Sequence, residues 1–242
     1  MRKILVIGIG AGDPELLTVQ AIEALSRVDV FFIPDKGEEK AELRDGRRAI
    51  CARFIKDHRH RFVEVASPKR AKETADYRAT VDEWHGKIAD NYARLFETEL
   101  RDGETGGFLI WGDPVLYDST LRILERLKAD YEVIPGVSSI QLLAARHRIP
   151  LNRIGEAVIV TPARKLAEPL GDSTVVVLDG EQSYRKLDGE NYDIYWGANL
   201  GTKDEILVAG KLADVKDEID RKREAARQAK GWIMDIYLLR RR

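Results

Sequence analysis

Two short apolar runs, Ile4–Ile7 and Gly107–Trp111, and a further strand, Tyr131–Ile134, each stop at a loop built on glycine, and a helical pattern follows each loop. Apolar runs of this length without alternation are what strands buried on both faces require. The repeat of strand, loop and helix predicts an α/β architecture with a largely parallel sheet. Val28–Ile33 is a further buried strand, closed by Pro34 and Asp35, and Arg61–Val65 has the mixed character of an edge strand. Val81, Trp84, Ile88, Tyr92, Leu95 and Phe96 recur at intervals of three and four, the mark of an amphipathic helix. Pro150–Gly155 breaks the pattern, so a boundary is expected there, giving an N-terminal α/β domain over 1–153 and a C-terminal one over 154–242. In the second domain Ala157–Val160, Thr174–Leu178, Ile194–Trp196, Glu205–Val208 and Trp232–Leu239 read as strands, close enough together for a mixed sheet.

Composition narrows the function. The 242 residues carry 40 Lys+Arg against 41 Asp+Glu, a net charge of −1 that argues against nucleic-acid partners and polybasic membrane binding. No apolar stretch is long enough to span a bilayer, and the N-terminal run is too short for a signal peptide, so a cytoplasmic protein is expected. The single cysteine, Cys51, cannot form an internal disulfide. His58, His60, His85 and His147 complete no zinc set, and no metal is expected. His85 falls one residue off the apolar stripe of its helix, facing a cleft or water.

Chemistry is concentrated in the three loops. Gly8-Ile9-Gly10-Ala11-Gly12-Asp13-Pro14 allows backbone to approach a ligand, but Asp13 stands where a dinucleotide fingerprint has its third glycine. Gly112-Asp113-Pro114-Val115-Leu116-Tyr117 and Pro135-Gly136-Val137-Ser138-Ser139 lie at strand ends, where open α/β sheets bind ligands. Each also has a plain structural reading: a tight turn, a type I turn, and a helix cap. From Lys40 to Arg61 there are eight Lys/Arg and three Asp/Glu, either a solvated helix face or a surface for acidic groups. A Rossmann-type methyltransferase is a rival reading of Gly8-x-Gly10-x-Gly12, but Val6 stands where its first motif usually has an acid.

The order of these motifs resembles the tetrapyrrole (corrin/porphyrin) methylase family. The likeness rests on Gly8–Thr18, Gly112–Pro114, Pro135–Ser139 and Asn199-Leu200-Gly201-Thr202-Lys203-Asp204-Glu205, and runs nearly the whole chain. It implies two α/β domains of the tetrapyrrole methylase type with the cofactor in the cleft between them. It further implies a homodimer, S-adenosylmethionine (SAM) as methyl donor and S-adenosylhomocysteine as product. Carried over by motif, Ala11, Gly112, Asp113, Leu116, Ser138 and Ser139 bind the cofactor, with Leu178, Asp179 and Leu200 as further contacts; Asp179 departs from the family's usual apolar residue. Within the family the stretches Phe32–Gly37, Asp76–His85 and Leu116–Ile123 point to methylation of precorrin-5 at C-1 with loss of its acetyl group as acetate. Loss of acetyl to water needs a nucleophilic water and a place for negative charge. Asp13 and Tyr117 are the preferred catalytic candidates, with Glu15, Asp35 and Asp118 as other carboxylates. Lys36, Arg44 and Arg47, beside Lys40 and Arg48, are candidates for the substrate's peripheral carboxylates. The same fold also serves other methyl acceptors, among them other precorrins, a diphthamide precursor and ribosomal RNA, and a non-catalytic binding protein is the remaining alternative.

Overall fold

A computed structural model of the chain describes residues 3–35, 37, 41–56, 59–68 and 76–242. Its contacts divide the chain into two units: one comprises the residues up to Gly10 with Pro14–Val137, the other Ala11–Asp13 with Ser138–Arg242.

The first unit is a five-stranded parallel sheet in the order β3-β2-β4-β1-β5, built from β1 (Lys3–Gly8), β2 (Val30–Asp35), β3 (Arg61–Ala66), β4 (Thr105–Ile110) and β5 (Asp130–Ile134). Side chains alternate across a strand, so one continuous apolar run feeds two cores. Leu5, Ile7, Phe31 and Ile33 pack beneath α1 (Val19–Leu25) and α2 (Ala41–Phe54). Ile4, Val6, Val30, Phe32 and Phe108 pack on the opposite side beneath α3 (Tyr77–Glu99) and α4 (Thr120–Arg126). Helix starts follow local capping chemistry: Thr18 accepts the Ala21 N–H at 3.0 Å, and Asp76 accepts those of Arg78 and Ala79. Arg61, at the start of β3, grips Glu104 through two hydrogen bonds of 2.8 and 2.9 Å and so ties an edge strand to the approach to β4.

The second unit is a mixed sheet in the order β6-β7-β10-β8-β9, from β6 (Val158–Pro162), β7 (Ser173–Val177), β8 (Tyr192–Ala198), β9 (Ile206–Lys211) and β10 (Asp235–Arg241). Strands β6 and β7 are parallel, while β10 runs antiparallel to both β7 and β8. Trp196, Tyr184 and Tyr237 fill a core that Leu212 and Ile219 of α6 (Leu212–Lys230) complete. The other face takes α5 (Ser139–His147), whose Leu143 sits where a side chain on Gly197 would stand.

The division falls at Val137/Ser138, earlier than the 153/154 expected from the sequence. The Pro150–Gly155 break is a surface turn, but the apolar face of α5 lies upstream of it and packs on β8 and β10. A loop signal marks where helical periodicity stops, not where the partner of a helix changes.

Candidate functional site

Because β4, β1 and β5 are neighbours and parallel, the loops leaving their carboxyl ends emerge side by side. Main-chain hydrogen bonds stitch the first two: Gly112 N–H donates to Gly10 O at 2.7 Å and Gly10 N–H to Gly112 O at 3.3 Å. Asp113 binds the third, its Oδ2 accepting the Gly136 N–H at 2.9 Å while Oδ1 accepts that of Val115 at 2.8 Å. A Cβ on Gly136 would lie 2.2 Å from Gly112 O, and one on Gly8 would lie 2.6 Å from Gly136 N. Only glycine permits backbones this close. The carboxylate of Asp113 therefore orders the loops, and Gly112 and Asp113 themselves are half-buried.

Beyond Asp113 the chain turns outward. Leu116 is half-buried, and Tyr117 is 45% exposed with φ at +55°. A non-glycine residue there carries strain of about 1–2 kcal/mol, and strained backbone tends to persist at functional positions. Asp118 next accepts the Thr120 N–H at 2.7 Å.

Behind these loops lies a buried polar group that the sequence did not assemble. Arg47 is turned inward: its Nε donates to Leu109 O and its Nη1 to Leu43 O, both at 2.8 Å, with the guanidinium 5.4 Å from the Trp111 ring. Burial lowers its pKa to about 10, against the pull of Asp118. Arg47 thus fastens α2 to the end of β4 instead of presenting a surface fork. The Tyr92 phenol on α3 is pushed up by burial and by Asp118. His85 is 4% exposed and meets Ser119 Oγ at 2.9 Å, so it faces neither cleft nor water as its position off the stripe suggested. His85 and Tyr92 stand seven residues apart on one helix face, a spacing visible in the sequence. Arg44 is half-buried and reaches Asp45 at 3.4 Å, while Lys36 and Lys40, like His58, lie outside the described residues.

In the second unit two further candidates meet. A Cβ on Gly201 would stand 2.1 Å from Ala11 O, and one on Gly12 2.6 Å from Leu200 O. Ala11 and Leu200 are therefore adjacent through their main chains, while the Leu200 side chain is buried against Gly197. Asp13 is half-buried, its Oδ2 4.0 Å from Arg146 Nη2, and Arg146 also holds Glu205. Ser138 is committed to a capping box with Gln141, which leaves Ser139 half-buried on the first turn of α5.

The end of β7 is a second strained point. Asp179 is 5% exposed, and its carboxylate accepts four hydrogen bonds: from Glu181 N, Ser183 N, Ser183 Oγ and the Tyr237 hydroxyl, at 2.7–3.1 Å. Arg223 Nη2 donates to its carbonyl. With Asp179 pinned inside, Leu178 is held at φ +57° with its side chain 60% exposed.

The residues present suit a sulfonium cofactor. In the first unit, residues 8–10, 112–118 and 135–137 include Asp113 and Asp118 and no Lys or Arg; in the second, residues 11–13, 138–139, 178–180 and 199–202 include Asp13 and Asp179 and no Lys or Arg. Main-chain carbonyls and carboxylates favour a cation, and each unit by itself offers an apolar side chain, Leu116 in the first and Leu178 in the second. Among the described residues no group of three or more His, Cys, Asp or Glu is arranged to hold a metal ion, and no helix is long and apolar enough to cross a membrane.

Comparison with known proteins agrees with this geometry. The family model for tetrapyrrole (corrin/porphyrin) methylases matches residues 3–216. A precorrin-6A synthase [deacetylating] from a Sinorhizobium species is 52% identical over 100% of this chain and 96% of its own length. A precorrin-2 C(20)-methyltransferase from Sinorhizobium is 28% identical over 70% of this chain and 67% of its own. The crystal structure of the cobalamin-synthesis-related protein CobF from Corynebacterium diphtheriae superposes with a TM-score of 0.85 at 36% identity, covering 99% of this chain and 98% of that one. Cobalt precorrin-4 methyltransferase, at 19% identity and a TM-score of 0.63 over 98% of this chain and 94% of its own, shares the fold. With its strand-end loops intact and the family model matched along most of its length, the chain belongs to the tetrapyrrole (corrin/porphyrin) methylases.

Proposed function

We propose that this methylase converts precorrin-5 to precorrin-6A, methylating C-1 and releasing the acetyl group as acetate, with SAM as donor and S-adenosylhomocysteine as product. The observation that carries the reading is the 52% identity, end to end, with precorrin-6A synthase [deacetylating]. When bound, SAM supplies an activated methyl group on sulfur. The chain's task is to position that group against the acceptor carbon and keep the geometry near attack. Gly112, Leu116, Ser139, Leu178 and the main chain of Ala11 and Leu200 are assigned to that positioning. Asp113 and Ser138 order the loops that carry it.

Deacylation balances as follows. Water adds its oxygen to the acetyl carbon, the bond from that carbon to C-1 breaks, and C-1 keeps the electron pair. That pair forms the bond to the methyl carbon as the methyl–sulfur bond breaks and sulfur keeps its electrons, giving S-adenosylhomocysteine, while acetate and two protons leave. Asp13 is assigned to accept the proton of the attacking water, and Tyr117 to donate a hydrogen bond to the oxygen that gains charge. We read the enzyme as cytoplasmic from its sequence and as a homodimer from the family likeness.

Anaerobic incubation with SAM and precorrin-5, followed by mass spectrometry, tests the reading. The expected product has gained one methyl and lost one acetyl group. Methylation without acetate would remove the roles of Asp13 and Tyr117, and an unchanged substrate mass would overturn the assignment. D13N and Y117F are expected to slow product formation while leaving S-adenosylhomocysteine affinity within about twofold.

A further inference from the structure

We propose that a pocket at the carboxyl ends of β6 and β7 receives a carboxylate-bearing edge of the tetrapyrrole, with Arg164 and Lys186 as its counter-charges. The inference rests on the functional reading above and deepens it. The pocket has a volume of about 410 Å³ and lies wholly within the second unit. That volume is in the range of small-molecule sites. Its floor is aliphatic, from Ala163, Leu166 and Leu187, and its rim carries Arg164 and Lys186. Such a combination suits a short carboxyalkyl arm: methylene groups against leucine, carboxylate toward guanidinium and ammonium.

Three further observations support it. Strand β8 is parallel to β7, because each runs antiparallel to β10. The pocket therefore opens at the same end of the sheet as Asn199–Leu200, where the chain meets Ala11–Asp13. Leu178, assigned above to the cofactor, forms one wall with its side chain 60% exposed, so the pocket adjoins the cofactor's contact in this unit. Asp179 also borders the pocket, but its carboxylate is already saturated by four donors, so it does not confront an incoming anion. Glu181 is the other acidic residue lining the pocket, 3.8 Å from Lys186. Both are highly exposed, so their pairing is weak and yields to a substrate carboxylate.

The experiment measures steady-state kinetics with precorrin-5 for R164Q, K186Q, the rescue variant R164K and the neighbouring-surface control K165Q. R164Q and K186Q are each expected to raise KM about fivefold to tenfold with kcat held, R164K to recover part of the loss, and K165Q to match the parent. S-adenosylhomocysteine affinity, measured by calorimetry, is expected to stay unchanged in all four. Binding of uroporphyrin, an octacarboxylate porphyrin, read by fluorescence quenching, separates the pocket from the reaction. If the parent fails to turn over precorrin-5 but uroporphyrin binding weakens in R164Q, the functional reading falls and the anion pocket stands. An unaltered KM and unaltered uroporphyrin binding in R164Q and K186Q overturn the pocket. So does a loss of S-adenosylhomocysteine affinity, which would make it part of the cofactor site.

Discussion

Replacing Asp179 with asparagine separates a scaffold role from a ligand contact at the end of β7. Each carboxylate oxygen of Asp179 accepts one main-chain N–H and one hydroxyl: Glu181 N and Ser183 Oγ on Oδ1, Ser183 N and the Tyr237 hydroxyl on Oδ2. Hydroxyls can rotate to accept from an amide, but main-chain N–H groups cannot. Whichever way the substituted carboxamide is turned, its NH2 faces one buried N–H, at a cost of about 1–3 kcal/mol. The remaining bonds also lose their charge assistance, while removal of a buried charge gives some of that back. The expected net loss is about 2–4 kcal/mol. For a chain of this size that corresponds to a fall in Tm of roughly 4–16 °C. Calorimetric unfolding of D179N beside Y237F, which removes a single donor and should cost about 1 kcal/mol, gives the scale. Tm would be unchanged in D179N and S-adenosylhomocysteine binding abolished if the residue were a direct ligand contact; that pattern would refute the scaffold argument.

Other consequences follow from single sites. G136A places a methyl group 2.2 Å from Gly112 O, among main-chain atoms that cannot rotate away. S-adenosylhomocysteine affinity is expected to fall at least about tenfold, and an unaffected affinity would disconnect the three stitched loops from the cofactor. Cys51 is fully buried and its thiol is pushed up to about 12, so alkylation at pH 8 should proceed only as fast as the unit opens; rapid labelling of the native protein would contradict this. Glu104 is held at about 2 by Arg61, against an ordinary value of 4.5. Its contribution is therefore complete above about pH 4.5 and lost as pH falls toward 2. The parent should lose stability across that window more steeply than E104Q, and equal slopes would count against the pairing.

The strands were legible because an interior parallel strand must be apolar on both faces, and Ile4–Ile7 and Val28–Ile33 have no other economical use. The strand-end loops were legible because close main-chain approach leaves glycine as the residue that fits. Charged and polar residues whose environment comes from elsewhere were not. Arg47 lies in a basic helix and reads as a solvated face, yet the Leu109 carbonyl at the end of β4 draws it inside. Nothing local to Asp179 announces that Tyr237, on the final strand, will cap its carboxylate. His85 falls one residue off the apolar stripe of its helix and is buried all the same, because Ser119 supplies a partner that periodicity cannot report. Ala11–Asp13 joins a unit whose remainder begins at Ser138, a connection carried by shape at Gly12 and Gly201 and by no pattern along the chain.

The position of β10 has a consequence for the order of assembly. It lies at the centre of the second sheet, and β6–β7 on one flank meets β8–β9 on the other only through it. Without Asp235–Arg241 these are two ribbons of two strands, and such ribbons are marginal in water. The last strand also brings the Tyr237 hydroxyl to Asp179, so closing the sheet and fixing the bend at Leu178 are one event. The first unit, whose parallel sheet is complete by Ile134, can settle earlier in synthesis. The bend at Leu178 thus waits, unformed, for a strand encoded about a hundred residues after α5 begins.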